Sequence, residues 1–307
     1  MHLRDGMAMR RAVPIVLLAV SWAAIAPAAP EFDEPALSPT PGDDNLVYRL
    51  VHALVPGDEP AVPPFADIAV PGPDTANFPN SPFTLPKGRS YIEVAPGTFS
   101  LAGADGTPAT WSWPFMIRTG LTDACELRLI SQGPTVVAAG GSGPGFDGFA
   151  PLVFDIKVFL WGDRDRLWWP SVGVEAFIVT GLASGPVQLG NEPGMELLFD
   201  HRLPGDWLLE WNVGLYGVGG PGIPAALSLP NFGMQWALQK QVTRQFAAFV
   251  HGFYNAAGIP FFPSDLVVGL GCQWNVTQRL AVYTSSNWSV DDTGSPWGGI
   301  SGFAYAY

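Results

Sequence analysis

Charge is scarce in this chain, cysteine scarcer still, and the apolar residues never run on long enough to make a membrane-spanning helix. Of 307 residues, 14% are charged, 48% hydrophobic and 12% aromatic, whereas a soluble domain carries roughly 25% charge. No stretch approaches the roughly 18 to 20 consecutive apolar residues that a transmembrane helix needs. A membrane span, if there is one, is built from strands. Two cysteines, Cys125 and Cys272, are too few for a disulfide framework. They lie on strand-like stretches far apart in order and read as two free, packed thiols. The four histidines, His2, His52, His201 and His251, have no metal-ligand spacing, so neither a metal nor another cofactor is expected. A net charge of −12 and a pI near 4.6 argue against nucleic acid or acidic ligands as partners.

What the chain does contain is most distinct at its end. Phe303-Ala304-Tyr305-Ala306-Tyr307 alternates large aromatic with small residues. A strand would place Phe303, Tyr305 and Tyr307 on one face. Bacterial outer-membrane barrels close with such a strand, so these three are read as the assembly signal presented to the barrel-assembly machinery. Upstream, one kind of turn recurs. Gly120-Leu121-Thr122-Asp123, Gln241-Val242-Thr243-Arg244 and Asn275-Val276-Thr277-Gln278-Arg279 each run into a stretch of period two. Gly162-Asp163-Arg164-Asp165 and Pro204-Gly205-Asp206 join strand-like runs in the same way. Hairpins repeated at even spacing indicate an up-and-down antiparallel β architecture.

At the other end, Arg10 and Arg11 precede the apolar run Ala12 to Val20, and Ala26-Pro27-Ala28 supplies a small-x-small site. This is the layout of a secretory signal peptide, with cleavage expected near Ala28. Residues 29–85 are rich in proline and acid, a composition that cannot enter a sheet and reads as a periplasmic leader. Within it, Leu46, Val47, Leu50, Val51 and Leu54 fall at helical spacing behind Asp43 and Asp44, giving a short helix over 45–54. That helix is read either as part of a mobile leader or as a device that plugs or docks to a barrel.

Residues 86–307 parse into about twelve strands, near 88–101, 109–119, 124–132, 149–160, 167–180, 194–203, 207–217, 229–240, 245–254, 265–274, 280–287 and 297–307. Strands of roughly 9 to 11 residues cross a bilayer when tilted by about 45°. Longer connections, at 133–148, 182–193, 218–226, 256–264 and 291–296, alternate with the short turns, which should face the periplasm. An even count leaves both barrel ends on that side. The faces sort cleanly. Phe232, Met234, Trp236 and Leu238 oppose Asn231, Gly233, Gln235, Ala237 and Gln239; Trp207, Leu209, Trp211, Val213 and Leu215 oppose Leu208, Glu210, Asn212 and Gly214. A secreted β-sandwich would alternate too. Its polar face, however, would carry lysine and glutamate in place of glycine, alanine and glutamine. Tryptophans near strand ends (Trp111, Trp113, Trp168, Trp169, Trp207, Trp274, Trp297) suit the interfacial girdle of a lipid-facing wall. The expectation is an all-β transmembrane barrel in the outer membrane, its outer face against lipid.

Ser81-Pro82-Phe83-Thr84-Leu85-Pro86-Lys87-Gly88, then Glu93, then Met116-Ile117-Arg118-Thr119-Gly120-Leu121-Thr122-Asp123-Ala124-Cys125-Glu126-Leu127-Arg128 resemble the opening of the "MetA-pathway of phenol degradation" transporter family. Val174-Glu175-Ala176-Phe177-Ile178-Val179-Thr180-Gly181 and Leu203-Pro204-Gly205-Asp206-Trp207 fit the same pattern. The resemblance covers 81–307 and leaves out most of the leader. It implies an outer-membrane barrel that moves hydrophobic or aromatic compounds, and it carries over no catalytic residue.

Any chemistry must then lie in the lumen. Strand parity sends Arg118, Glu126, Arg128, Asp155, Lys157, Glu175, Glu196, Asp200 and Glu210 inward. A three-residue loop at 121–123 would set Arg118 opposite Glu126 as a cross-strand ion pair. These residues read either as a charged constriction that orients a passing solute or as a network that satisfies buried charge. Gly140-Gly141-Ser142-Gly143-Pro144-Gly145 lacks a following Lys-Ser/Thr and is a loop, not a phosphate cradle. Asp291-Asp292 reads as a solvated turn, and the sequons at Asn275 and Asn287 fall in strand contexts that make glycosylation improbable. Three functions remain open: a channel for small solutes, a structural or adhesive barrel without transport, and a barrel hydrolase using His251 with Ser285 or Ser286.

Overall fold

The structure is a computed structural model that describes residues 67–103, 106–139, 144–163, 166–184, 191–218, 229–256, 265–290 and 295–307. The signal sequence, the helix expected at 45–54, the leader up to residue 66, Asp291-Asp292 and the start of the glycine-rich loop lie outside the described residues. Sixteen strands form one antiparallel sheet: β1 (Ser90–Val94), β2 (Thr98–Ser100), β3 (Thr110–Ser112), β4 (Phe115–Thr122), β5 (Cys125–Ser131), β6 (Pro134–Val137), β7 (Phe146–Phe149), β8 (Val153–Trp161), β9 (Pro170–Val179), β10 (Glu192–Leu203), β11 (Trp207–Val218), β12 (Leu229–Gln241), β13 (Phe246–Asn255), β14 (Asp265–Asn275), β15 (Leu280–Ser289) and β16 (Gly298–Ala306). Among the described residues there is no helix.

Twelve strands close an up-and-down barrel in the order β1-β4-β5-β8-β9-β10-β11-β12-β13-β14-β15-β16. The closing seam pairs Tyr91↔Ala306, Ile92↔Tyr305, Glu93↔Ala304 and Val94↔Phe303. Beyond the first of these, Tyr307 exchanges both backbone bonds with Ser90, at 3.1 and 3.3 Å. The terminal aromatic segment is thus one lip of the seam, and Phe303, Tyr305 and Tyr307 all face outward. The five short connections and both ends of the barrel wall lie at the same end.

The first strands depart from the sequence reading. The stretches expected as single strands over 88–101 and 109–119 are each broken, and the expected loop at 133–148 holds β6 and begins β7. Ala95-Pro96-Gly97 separates β1 from β2, Trp113-Pro114 separates β3 from β4, and Pro151 lies between β7 and β8. Proline has no N–H to give the ladder, so the sheet bends there. Between β5 and β6 the bend falls at Gly133, whose φ is +64°. A Cβ there would lie 2.2 Å from the Trp113 carbonyl oxygen. Backbone bonds stitch the bend together, including Ala95 N–H to Pro114 O at 2.9 Å and Trp113 N–H to Pro134 O at 3.0 Å. The short strands pair as β16-β2-β3-β6-β7 and prolong the first four wall strands in their own order.

The wall is inside out relative to a soluble sandwich. Leu215 and Met195 are each 55% exposed and Leu270 54%, while Arg118, Arg128 and Lys157 are 0% exposed. Phe154, Ile156, Leu197, Phe232, Met234, Val250 and Val282 join the outward apolar set. Trp111, Trp113, Trp168, Trp169, Trp207 and Trp274 are also exposed. Trp297 instead donates its indole N–H to Ser286 Oγ at 2.6 Å and packs edge-on to Phe99. Cys125 on β5 and Cys272 on β14 are free thiols.

Candidate functional site

The interior of the barrel is filled by a stretch that belongs to no strand. Residues 67–86, of which the sequence assigns 67–85 to a periplasmic leader, enter beside the β14–β15 turn, where Ile68 N–H donates to Gln278 O at 2.7 Å. They leave beside the β4–β5 turn, where Thr84 Oγ1 donates to Asp123 O at 2.8 Å and Lys87 N–H to Asp123 Oδ1 at 3.0 Å. At the entrance Ile68 and Leu85 pack with Tyr91, Ala281, Ala304 and Ala306 in a small apolar floor. The Tyr91 hydroxyl donates to the carbonyls of Asp67 and Val70. The wall makes room at Gly120, where a Cβ would stand 2.2 Å from the Pro86 carbonyl oxygen.

Above that floor the contacts are polar. Asp74 Oδ2 lies 2.6 Å from Lys157 Nζ, 3.1 Å from Arg128 Nη1 and 3.2 Å from Arg118 Nη2. Burial alone would raise the Asp74 carboxyl, but Arg118, Lys157 and Arg128 outweigh it and hold it down to about 2. Thr75 gives its N–H and hydroxyl to Glu93 Oε2, at 2.9 and 2.6 Å. Asn77 donates to Glu210 at 2.8 Å, Asn80 to Glu175 at 2.9 Å and Ser81 to Asp200 at 3.1 Å. Phe78 stacks on His251 with ring centroids 4.0 Å apart and meets Phe253 edge-on at 4.9 Å.

All nine charged residues expected inside are buried there, and most join one network. Arg118 binds Glu126 at 2.6 Å and Glu93 at 3.1 Å; Arg128 binds Asp155 at 2.6 Å and Glu175 at 2.5 Å. Glu196 accepts from the Tyr216 hydroxyl. The cross-strand register differs from expectation. Arg118 faces Arg128, because the turn is the two residues Asp123-Ala124 and a bulge falls between Gly120 and Thr122. Glu126 is opposite Gly120, and the long Arg118 side chain reaches it diagonally. Two like charges thus sit directly opposite each other, each needing its own acids.

His251 bonds Asn287 Oδ1 at 2.7 Å, across Gly269 of the intervening strand. No hydrogen bond joins it to Ser285 or Ser286 among the described residues, and Ser286 instead accepts from Trp297. The serine–histidine pairing that a barrel hydrolase would need is not formed among the described residues. Sequence reasoning missed Asp74, Thr75, Asn77, Phe78, Asn80, Ser81, Asn287 and the use of Glu93. One signal was present: residues 75–86 hold asparagine, serine and threonine but no charge, unlike the acidic stretch before them.

The fold is that of an outer-membrane β-barrel. It is similar to an outer membrane channel from Pseudomonas putida F1, with a TM-score of 0.52 at 10% identity over 75% of this chain and 99% of that one. It also aligns with a loop-deleted form of OmpT, an outer membrane protein of Vibrio cholerae (TM-score 0.33, 11% identity, 72% of this chain and 97% of that one). A third alignment is with the outer membrane channel DcaP of Acinetobacter baumannii (0.32, 7%, 71% and 72%). No family model and no curated protein matches the chain.

Proposed function

We propose that this chain is an outer-membrane channel for small solutes, held shut here by residues 67–86 acting as a plug. The observation that carries the reading is the way the plug is attached. No residue of 67–86 takes part in the sheet, whose seam closes through β1 and β16 alone. Apart from the Ile68 backbone bond at the entrance, the contacts described between plug and wall use side chains. A complete wall around a removable filling is a channel in a closed state. With the plug withdrawn, Arg118, Glu126, Arg128, Asp155, Lys157, Glu175, Glu196, Asp200 and Glu210 become the lining. The three bases sit on the adjacent strands β4, β5 and β8, whereas the β10 and β11 members are acids only. Glu126 and Asp155 share those first strands, so charges of both signs line the passage and orient a passing solute. The likeness to an outer membrane channel supports the reading, and the resemblance to the phenol-degradation transporters adds aromatic or hydrophobic compounds as the solute class. Export by the N-terminal signal and insertion by the assembly machinery complete it.

The test is conductance in planar bilayers. The full chain should be nearly silent, and a chain lacking 67–86 should give discrete steps whose ion preference changes on neutralising Glu210 or Lys157. A plugless protein that keeps its heat-dependent gel shift, yet neither conducts nor passes solutes into liposomes, would be a structural barrel.

A further inference from the structure

We infer that the three cations on β4, β5 and β8 form a carboxylate-binding site for the solute, occupied in this state by the protein's own Asp74. This rests on the channel reading and names the chemistry that would compete with the plug. Arg118, Arg128 and Lys157 are fully buried, and all three aim a nitrogen at the same oxygen, Asp74 Oδ2, within 3.2 Å. Most of their other donors are committed elsewhere, Arg128 Nε alone of the guanidinium nitrogens having no partner among the described atoms. Glu126 and Glu93 take Arg118; Asp155 and Glu175 take the second arm of Arg128; the Ser81 carbonyl takes Lys157 at 3.1 Å. Removing Asp74 leaves three positive groups facing one small space with no acceptor at its centre, and unsatisfied buried donors are costly.

Net charge does not select the occupant, since Glu93, Glu126, Asp155 and Glu175 already outnumber the three bases. Geometry does. Two guanidinium groups and an ammonium already converge on a carboxylate oxygen at 2.6 to 3.2 Å, the charge-assisted contacts that a solute carboxylate would reproduce. Asp74 Oδ2 takes all three cations while Oδ1 has no hydrogen-bond partner among the described atoms. The site therefore reads one carboxylate oxygen and leaves the second buried without a partner. A few residues along the same segment, Phe78 sits on His251 and Phe253, so the interior also holds a place for an aromatic ring. The inferred solutes are small organic monocarboxylates, aromatic acids among them.

The experiment is chemical rescue of Asp74→Ala in the full chain. Acetate and benzoate serve as probes, and acetamide and benzamide as neutral partners of the same shape, at constant chloride. One readout is conductance in planar bilayers. The other is the temperature at which the heat-dependent gel shift is lost, which needs no conductance. Asp74→Ala should conduct where the parent is silent. Millimolar acetate and benzoate should then each cut the current several-fold and raise the unfolding temperature by several degrees, with both amides inert. The parent chain, its site filled, should ignore all four. If the alanine variant does not insert, Asp74→Gly, which also vacates the space, takes its place. Equal effects of acids and amides, or equal responses of parent and variant, overturn the carboxylate site while leaving conductance to judge the channel. Stabilisation by carboxylates alone, with no conductance under any condition, upholds the site and sinks the channel reading instead.

Discussion

The wall and the plug of this barrel are held by different forces, although they occupy the same cylinder. The wall is a continuous ladder of backbone bonds, with register running unbroken over ten or more pairs in β10–β11, β11–β12 and β13–β14. Its side chains need only alternate, apolar outward and polar inward. The plug has no ladder. It depends on individual partners such as Asp74 on three cations and Asn77 on Glu210, whose positions in the chain differ by 133. A ladder tolerates loss of one side chain because its backbone bonds remain, whereas a plug tied by side chains loosens one tie at a time. Mutations should therefore separate the two.

The largest expected contrast comes from two deletions. Removing 303–307 takes the β16 half of every β1–β16 pair, together with Leu280↔Tyr305, Ala281↔Ala304 and Val282↔Phe303. No closed barrel should form, and the heat-shifted gel band should vanish. Removing 67–86 should leave that band in place and open conductance. The reverse outcome would show that the plug organises the wall. Next in size is Arg128→Met, which strips the shared cation from Asp74, Asp155 and Glu175. Losing one partner of a buried ion network costs about 3–5 kcal/mol. The barrel should unfold at lower urea and conduct intermittently.

Leu270→Arg probes the other face. Leu270 lies mid-strand on β14 and 54% exposed, so a charge there should cost about 2–4 kcal/mol against lipid. Refolding titrations into vesicles should register that loss, while single-channel steps of the plugless form stay unchanged; altered steps would place residue 270 on the wrong face. The smallest effect is that of acid. Asp74 is held at about 2, below its ordinary 3.8. A depressed carboxyl stabilises above its ordinary value and loses that contribution as pH falls toward the depressed one. The plug should stay seated from neutral pH down to about 4 and loosen between there and about 2. Opening already at pH 6 would mean that another group secures it.

Much of the wall was legible in the residues. Period-two alternation dictates which side chains share a face whatever the register, so Arg118, Arg128, Lys157 and the six acids could be sent inward without knowing their partners. The recurring Thr-containing turns set the hairpins, and the alternating aromatic end marked the closing strand. Partnership was less legible. The bulge between Gly120 and Thr122 shifts the hairpin enough to put Arg118 opposite Arg128, and one residue of slip in a turn is invisible to periodicity. Pro96, Pro114 and Pro151 fall inside stretches that alternation reads as single strands, and that the broken pieces pair again in the same order depends on neighbours distant in sequence.

By itself, then, the sequence determined an inside-out antiparallel barrel with a polar, charged interior, because alternation and turn chemistry are local and survive any choice of partner. Only the tertiary structure decided what fills that interior. Residues 67–86 have no period and no ladder, and apart from the loss of charge after Asp74 little that is local distinguishes a loose leader from a plug. Their place follows from complementarity with Glu93, Arg118, Arg128, Lys157, Glu175, Asp200 and Glu210, a set that exists as a surface only after twelve strands have closed.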